Sequence, residues 1–250
     1  MEIENKLLLS RLGDVIERCQ CRYSQCYLGF LSPSERMTIE RKLPKLSDIH
    51  NTFWGGHNEA ERTMFVCYPD YAEFEPNEVP IVCLEIRSRE IERLNHRDFL
   101  GSVLALGIKR EKIGDILPGG DKCLMFVSTD IAEYIVDNLM KIGNAGISVG
   151  YADIDTVELP ERATDEINGT VANARIDAVL SVALKVSRSK ASEYITSENV
   201  QVNWENVASV TRKMSENDIF SVKGFGRFRL KTIGHQSKKG RYHITIEKYL

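Results

Sequence analysis

The runs IVCLEI (81–86), DFLGSVLAL (98–106), IGDIL (113–117), KCLMFV (122–127), DIAEYIVDNLMKI (130–142) and ISVGYAD (147–153) decide the fold. Apolar stretches of strand length alternate in them with stripes of helical period. Gly107 and Gly143 close the two helices, and PGGD (118–121) turns one strand into the next. The order β-α-β-β-α-β is that of a ferredoxin-like split βαβ sandwich. In the second helix Asp130 and Glu133 form an expected capping pair, while Ile131, Ile135, Leu139 and Ile142 make one apolar stripe.

Upstream, Ile3, Leu7, Leu8, Leu12, Val15, Ile16 and Cys19 recur at helical spacing and predict an amphipathic helix. A strand is expected over 27–31, and SPSE (32–35) carries a capping box for a helix that Pro44 interrupts. Gly55 and Gly56 mark a turn before a helix, and 64–68 reads as a strand. Pro69, Pro76 and Pro80, with acidic residues between them, set a boundary. Downstream, residues 156–174 are polar, with Pro160 and Gly169, and read as a linker. Ile176, Val179, Leu180, Ala183 and Leu184 then form one helical stripe, SRSKA (187–191) starts a second helix, and short strands follow.

The fold class expected is therefore α+β. A small N-terminal α/β domain occupies 1–75, the central ferredoxin-like β-α-β-β-α-β sandwich 80–156, a linker 157–172, and a small unit of two helices and a short sheet 173–250.

Charge separates these parts. Residues 175–250 carry 14 Lys and Arg against 7 Asp and Glu, a balance of +7, which leaves −10 for the first 174 residues of a chain whose total is −3. A basic end on an acidic chain points to a polyanionic partner. No apolar run approaches the roughly 20 residues of a membrane span, and the acidic start MEIENK is unlike a signal peptide, so a cytoplasmic protein without a membrane partner is expected. The six cysteines then read as reduced thiols. Cys19, Cys21 and Cys26 match no defended metal spacing, so no metal is expected.

Several motifs fail on inspection. HRD (96–98) lacks the Asn of a kinase loop, KMS (213–215) lacks its synthetase partner motif, and no Gly-rich nucleotide loop follows a strand. Neither catalytic residues nor a cofactor are expected. Asn95 or Asp98 reads as a helix cap, and Arg97, Lys109, Arg110 and Lys112 stand open between a solvated face and a basic rim for phosphates.

RID (175–177), SRSKA (187–191), VQVN (200–203), Asp218 and Gly224 together resemble the small RNA-binding module named after ribosomal protein S-four. GGHNEAER (55–62), HRDFLGS (96–102), LGIKREKIGDI (106–116) and SVKGFGRF (221–228) extend the likeness over nearly the whole chain, which is identified as a member of the YlmH family. The resemblance implies RNA binding linked to translation; a non-catalytic monomer is expected, and an RNA-modifying enzyme that uses the module for targeting, or an adaptor, stands as the alternative. Its implied partners are large-subunit ribosomal RNA and tRNA or peptidyl-tRNA on stalled ribosomes, with further links to cell division and photosystem assembly. The matched positions give Arg175, Arg188, Ser189 and Lys190 as leading RNA contacts, and Asn203 as a hairpin residue. Arginine forks suit phosphate oxygens, and serines at a helix start add donors. Lys223, Arg227 and Arg229 are expected on one RNA-facing ribbon, with Lys238, Lys239 and Arg241 extending it. Phe225 or Phe228 is a candidate for base stacking, core packing being the alternative.

Overall fold

The computed structural model describes residues 2–160, 164–237 and 240–249, excluding the side chains of residues 2 and 3, and is a mixed α/β, α+β structure. It divides into two compact units, residues 1–161 and 162–250.

The first unit begins with α1 (Glu2–Arg22), β1 (Cys26–Leu31), α2 (Pro33–Lys42), β2 (Ile49–Trp54) and β3 (Thr63–Pro69). The strands make an antiparallel sheet in the order β1-β3-β2. Ser32 caps α2 and Glu35 completes the capping box. Next come β4 (Ile81–Arg87), α3 (His96–Ala105), β5 (Ile113–Gly119), β6 (Lys122–Ser128), α4 (Thr129–Asn138), the short hairpin β7 (Lys141–Ile142) and β8 (Ala145–Gly146), and β9 (Ser148–Ala152). The second sheet runs β5-β6-β4-β9, each neighbour antiparallel.

Side-chain alternation explains how these elements stack. Along β6, Cys123, Met125 and Val127 face Phe99 of α3 and Ile135 of α4, whereas Leu124 and Phe126 face the other way. Those two meet Phe30 of β1 and Met64 and Val66 of β3, whose neighbours Phe65 and Cys67 face α1 and α2. The unit is thus four layers deep, helices on sheet on sheet on helices, and β3 and β6 are apolar on both faces because both faces are covered. For the same reason the expected boundary at 75–80 marks no break in packing: the two sheets share a core.

Two expectations in this unit are corrected. Residues 57–62 form no helix; Gly56 adopts φ +95 and lies so close to the sheet that a Cβ there would stand 2.6 Å from Phe126 Cδ1. The second central helix ends at Asn138, not Ile142, and Ser128 rather than Asp130 is its N-cap residue. Leu139 and Ile142 are buried at 4% and 0% all the same, so the apolar stripe continues through a change of structure that it cannot report.

The second unit comprises β10 (Thr164–Val171), α5 (Ile176–Ala183), α6 (Arg188–Thr196), β11 (Val200–Val202), β12 (Glu205–Asn206), β13 (Ile219–Val222), β14 (Gly226–Gln236) and β15 (Tyr242–Tyr249). Its antiparallel sheet runs β10-β15-β14-β13-β11-β12. The linker expected over 157–172 is overturned from Thr164 onward, because β10 pairs with β15 along its whole length. The strand reads as a linker because it is an edge with one solvated face, alternating polar residues with the inward Ile167 and Val171. Gly169 lets Val182 of α5 approach, a Cβ there being 2.5 Å from Val182 Cγ1. Both helices cover one face of the sheet around Val200, Phe220, Phe228, Leu230, Ile244 and Ile246. Asn203 and Trp204, at φ 47 and 63, make the tight β11–β12 turn.

Candidate nucleic-acid interface

Helix α5 buries Ile176, Val179 and Leu180 completely, and this seats the adjacent Asp177 at only 5% exposure. A buried carboxylate needs partners. Arg175 supplies two, Nε to Oδ1 at 3.2 Å and Nη2 to Oδ2 at 3.2 Å, and the Ala178 amide donates to Oδ1 at 3.0 Å. Arg188, the first residue of α6, also donates from Nη2 to Oδ2. The residues on either side of Arg175 are held in turn, since Ile176 N donates to Arg212 O and Met214 N to Ala174 O.

The result is two guanidinium groups converging on one carboxylate. Their side chains remain 32% and 54% exposed, and a guanidinium carries five N–H donors, so each retains capacity for another acceptor. One negative charge against two positive leaves the cluster cationic. Ser187 caps α6 by accepting from Lys190 N at 3.2 Å, and Ser189 and Lys190 stand exposed in its first turn. Lys190 bonds Glu193 at 2.6 Å, a contact that raises its pKa, and lies 5.7 Å from the centre of the Tyr194 ring. Arg175, Arg188, Ser189 and Lys190 therefore gather around the starts of the two helices.

The remaining expected contacts go elsewhere. Lys223 is exposed in the β13–β14 turn. Phe228 and Leu230 point from β14 toward the helices, so Arg227 and Arg229 between and beside them point to the opposite face. The three expected residues thus lie on one hairpin, Lys223 in its turn and Arg227 and Arg229 on the face of β14 away from the helices. On that outer face Arg229 donates to Asn217 Oδ1 and stands 3.8 Å from Glu247, while Lys231 bridges Glu166 at 2.6 Å and Glu247 at 2.9 Å. Carboxylates already answer much of the charge there. Arg241 clasps Thr170 through its carbonyl at 2.6 Å and its hydroxyl at 3.1 Å. Lys238 and Lys239 lie outside the described residues. Asn203 is structural: its side chain bonds Asp218 at 2.8 Å and the Ile219 amide at 3.0 Å.

In the first unit the four basic residues expected at a central rim are also divided. Arg97 and Lys109 are exposed, whereas Lys112 pairs with Asp130 at 2.5 Å. Arg110 turns inward to Ile113 O at 2.6 Å, so it belongs to a buried cluster and not to a rim. Burial and then the neighbouring Arg62 push its guanidinium down to about 10, which leaves it cationic at neutral pH. Arg62 itself reaches Ile113 O, Phe30 O and Arg110 O at 2.9, 3.1 and 3.3 Å. Asp115 accepts from the Glu61 and Arg62 amides at 2.8 and 2.9 Å, with His57 Nε2 3.4 Å away. The GGHNEAER loop is therefore the clasp between the two sheets. Asn95 and Asp98 form the capping box of α3.

Sequence reasoning passed over Asp177 as a positioning residue. A signal was available: an acid embedded in an apolar helical stripe and flanked by basic motifs.

Comparison with known proteins places two family matches side by side within the first unit. The family model described as "YlmH, N-terminal" matches residues 4–72, and that described as "Putative RNA-binding domain in YlmH" matches residues 75–156. The chain is 28% identical over 230 residues to the ribosome-associated protein quality control protein P2 of Bacillus subtilis strain 168, covering 92% of this chain and 89% of that protein. The solved structure of the cell division protein ylmH from Streptococcus pneumoniae is similar at 25% identity and a TM-score of 0.53, over 63% of this chain and 97% of that one. No helix of the described residues is long and apolar enough to cross a membrane.

Proposed function

The chain belongs to the YlmH family, and on that premise we propose that it is a ribosome-associated RNA-binding protein that serves translation quality control in the cytoplasm. The observation that carries this reading is the convergence of Arg175 and Arg188 on Asp177, which fixes two phosphate-seeking groups at the starts of two helices. We read residues 162–250 as an S-four-type RNA-binding module and the central sheet with α3 and α4 as ferredoxin-like.

The RNA we assign is structured ribosomal RNA of the large subunit together with the tRNA it holds, read by shape and phosphate geometry. The protein acts as a monomer and holds this RNA without altering it covalently. In-cell crosslinking followed by sequencing of the bound RNA tests the assignment. Reads concentrated on large-subunit RNA and tRNA support it, and reads scattered over messages oppose it. Mass spectrometry of RNA before and after incubation tests the non-catalytic part, which a newly modified base would refute.

A further inference from the structure

The β13–β14 turn places a large apolar side chain where solubility alone would not. Phe228, two residues into β14, is 1% exposed and stacks on Phe220 in the core, whereas Phe225 at the turn is 37% exposed. Gly224 and Gly226, at φ +88 and +100, shape this turn, and the Phe225 amide donates to Val222 O. Phe225 meets Tyr194 of α6 edge-on, ring centres 5.4 Å apart and planes at 75°. The turn is tied to the helix a second time, since Lys223 N donates to Asn199 O at 2.9 Å.

Positive charge accompanies this aromatic pair. Lys190 stands one helical turn before Tyr194 with its ammonium 5.7 Å from that ring, and the exposed Lys223 lies in the same turn as Phe225. Glu193 holds Lys190, an exposed contact that an RNA phosphate can replace. Exposed aromatic rings with basic side chains beside them are the chemistry of a base-stacking platform, which duplex RNA cannot use because its bases are already stacked.

We propose that Phe225 and Tyr194 form a stacking site for one unpaired nucleobase, with Lys190 and Lys223 on the flanking phosphates. This inference rests on the RNA-binding reading above and adds to it a preference: the C-terminal unit selects RNA with a bulged or looped-out base beside a helix.

The test uses the full chain and two RNAs, a blunt duplex and the same duplex interrupted by unpaired adenosines, one replaced by fluorescent aminopurine. The native protein binds the interrupted RNA more tightly and changes the aminopurine emission. Phe225→Ala lowers affinity for the interrupted RNA roughly 5-fold or more, leaves duplex binding unchanged and abolishes the emission change. Phe225→Tyr restores both. Circular dichroism and the melting temperature confirm that the variants fold. If Phe225→Ala matches the native protein on both RNAs while Arg188→Glu weakens both, the stacking site is wrong and the RNA-binding reading stands. Should the native protein bind neither RNA at low salt, both are overturned.

Discussion

Arg188 donates from Nη2 to the buried carboxylate of Asp177, so the first residue of α6 is fixed to the first turn of α5. Arg175 approaches the same carboxylate from the residue before α5. Asp177 is thus a negative charge placed where RNA is proposed to bind, and its use is to aim two positive ones.

That arrangement separates positioning from simple charge. Asp177→Ala makes the basic end more positive by one, and charge counting alone expects tighter RNA binding. The geometry expects weaker binding, because both arginines lose their anchor. The same variant should lose about 1–3 kcal/mol of stability, the cost of stripping partners from groups that are partly buried. Urea unfolding and a filter-binding titration measure the two effects.

Arginines on the two faces of the C-terminal sheet should differ. Arg188→Ala is expected to reduce the salt slope of RNA binding by about one phosphate contact. Arg229→Ala should change it less, because Arg229 lies on the opposite face, engaged by Asn217 and Glu247. Equal effects in titrations against potassium chloride would move the interface to the sheet's outer face.

Arg62 donates to carbonyls from β1, β5 and the turn before β5, so Arg62→Ala removes three part-buried hydrogen bonds of the clasp, although Ile113 O keeps Arg110 Nη1 and Arg110 O keeps the Ile113 amide. A loss of about 1–3 kcal/mol is expected in the first unit, with RNA contacts of the second unit unchanged. Hydrogen exchange resolved by unit reads the difference.

Asp115 adds a pH dependence. Burial alone would raise its carboxyl, but His57 and the Glu61 and Arg62 amides outweigh it and hold the pKa below the ordinary 3.8. A carboxyl depressed in the folded state stabilises in full above the unfolded value. That contribution is lost as pH falls through the lower folded value. Native protein should therefore lose stability more steeply than Asp115→Asn below about pH 4, as acid titrations of the melting temperature can show.

What the sequence disclosed, and what it concealed, follows from burial. The strands at 81–87 and 122–128 were legible because both faces are apolar, and α2 and α3 because their capping boxes are local. Strand β10 was hidden, since an edge strand with a solvated face has the composition of a linker. The shared core of the two sheets was hidden as well: alternation within β6 says that two faces are covered, not by what. Arg175, Arg188, Ser189 and Lys190 were named from the resemblance to the module, and the structure sets all four at the starts of α5 and α6. The inward turn of Arg110 and the engagement of Arg229 by Asn217 and Glu247 were not legible, because a charged residue in a basic run looks the same whether it faces solvent, a carbonyl or a carboxylate.

The central claim is that the helix-start arginines hold ribosomal RNA. Co-sedimentation of the full chain with large ribosomal subunits, across a potassium chloride series, tests it most directly when native protein is compared with Arg188→Glu. The account predicts salt-sensitive co-sedimentation of the native chain and its loss at moderate salt in the variant, with the fold intact by circular dichroism. Unchanged co-sedimentation of Arg188→Glu at moderate salt would contradict it.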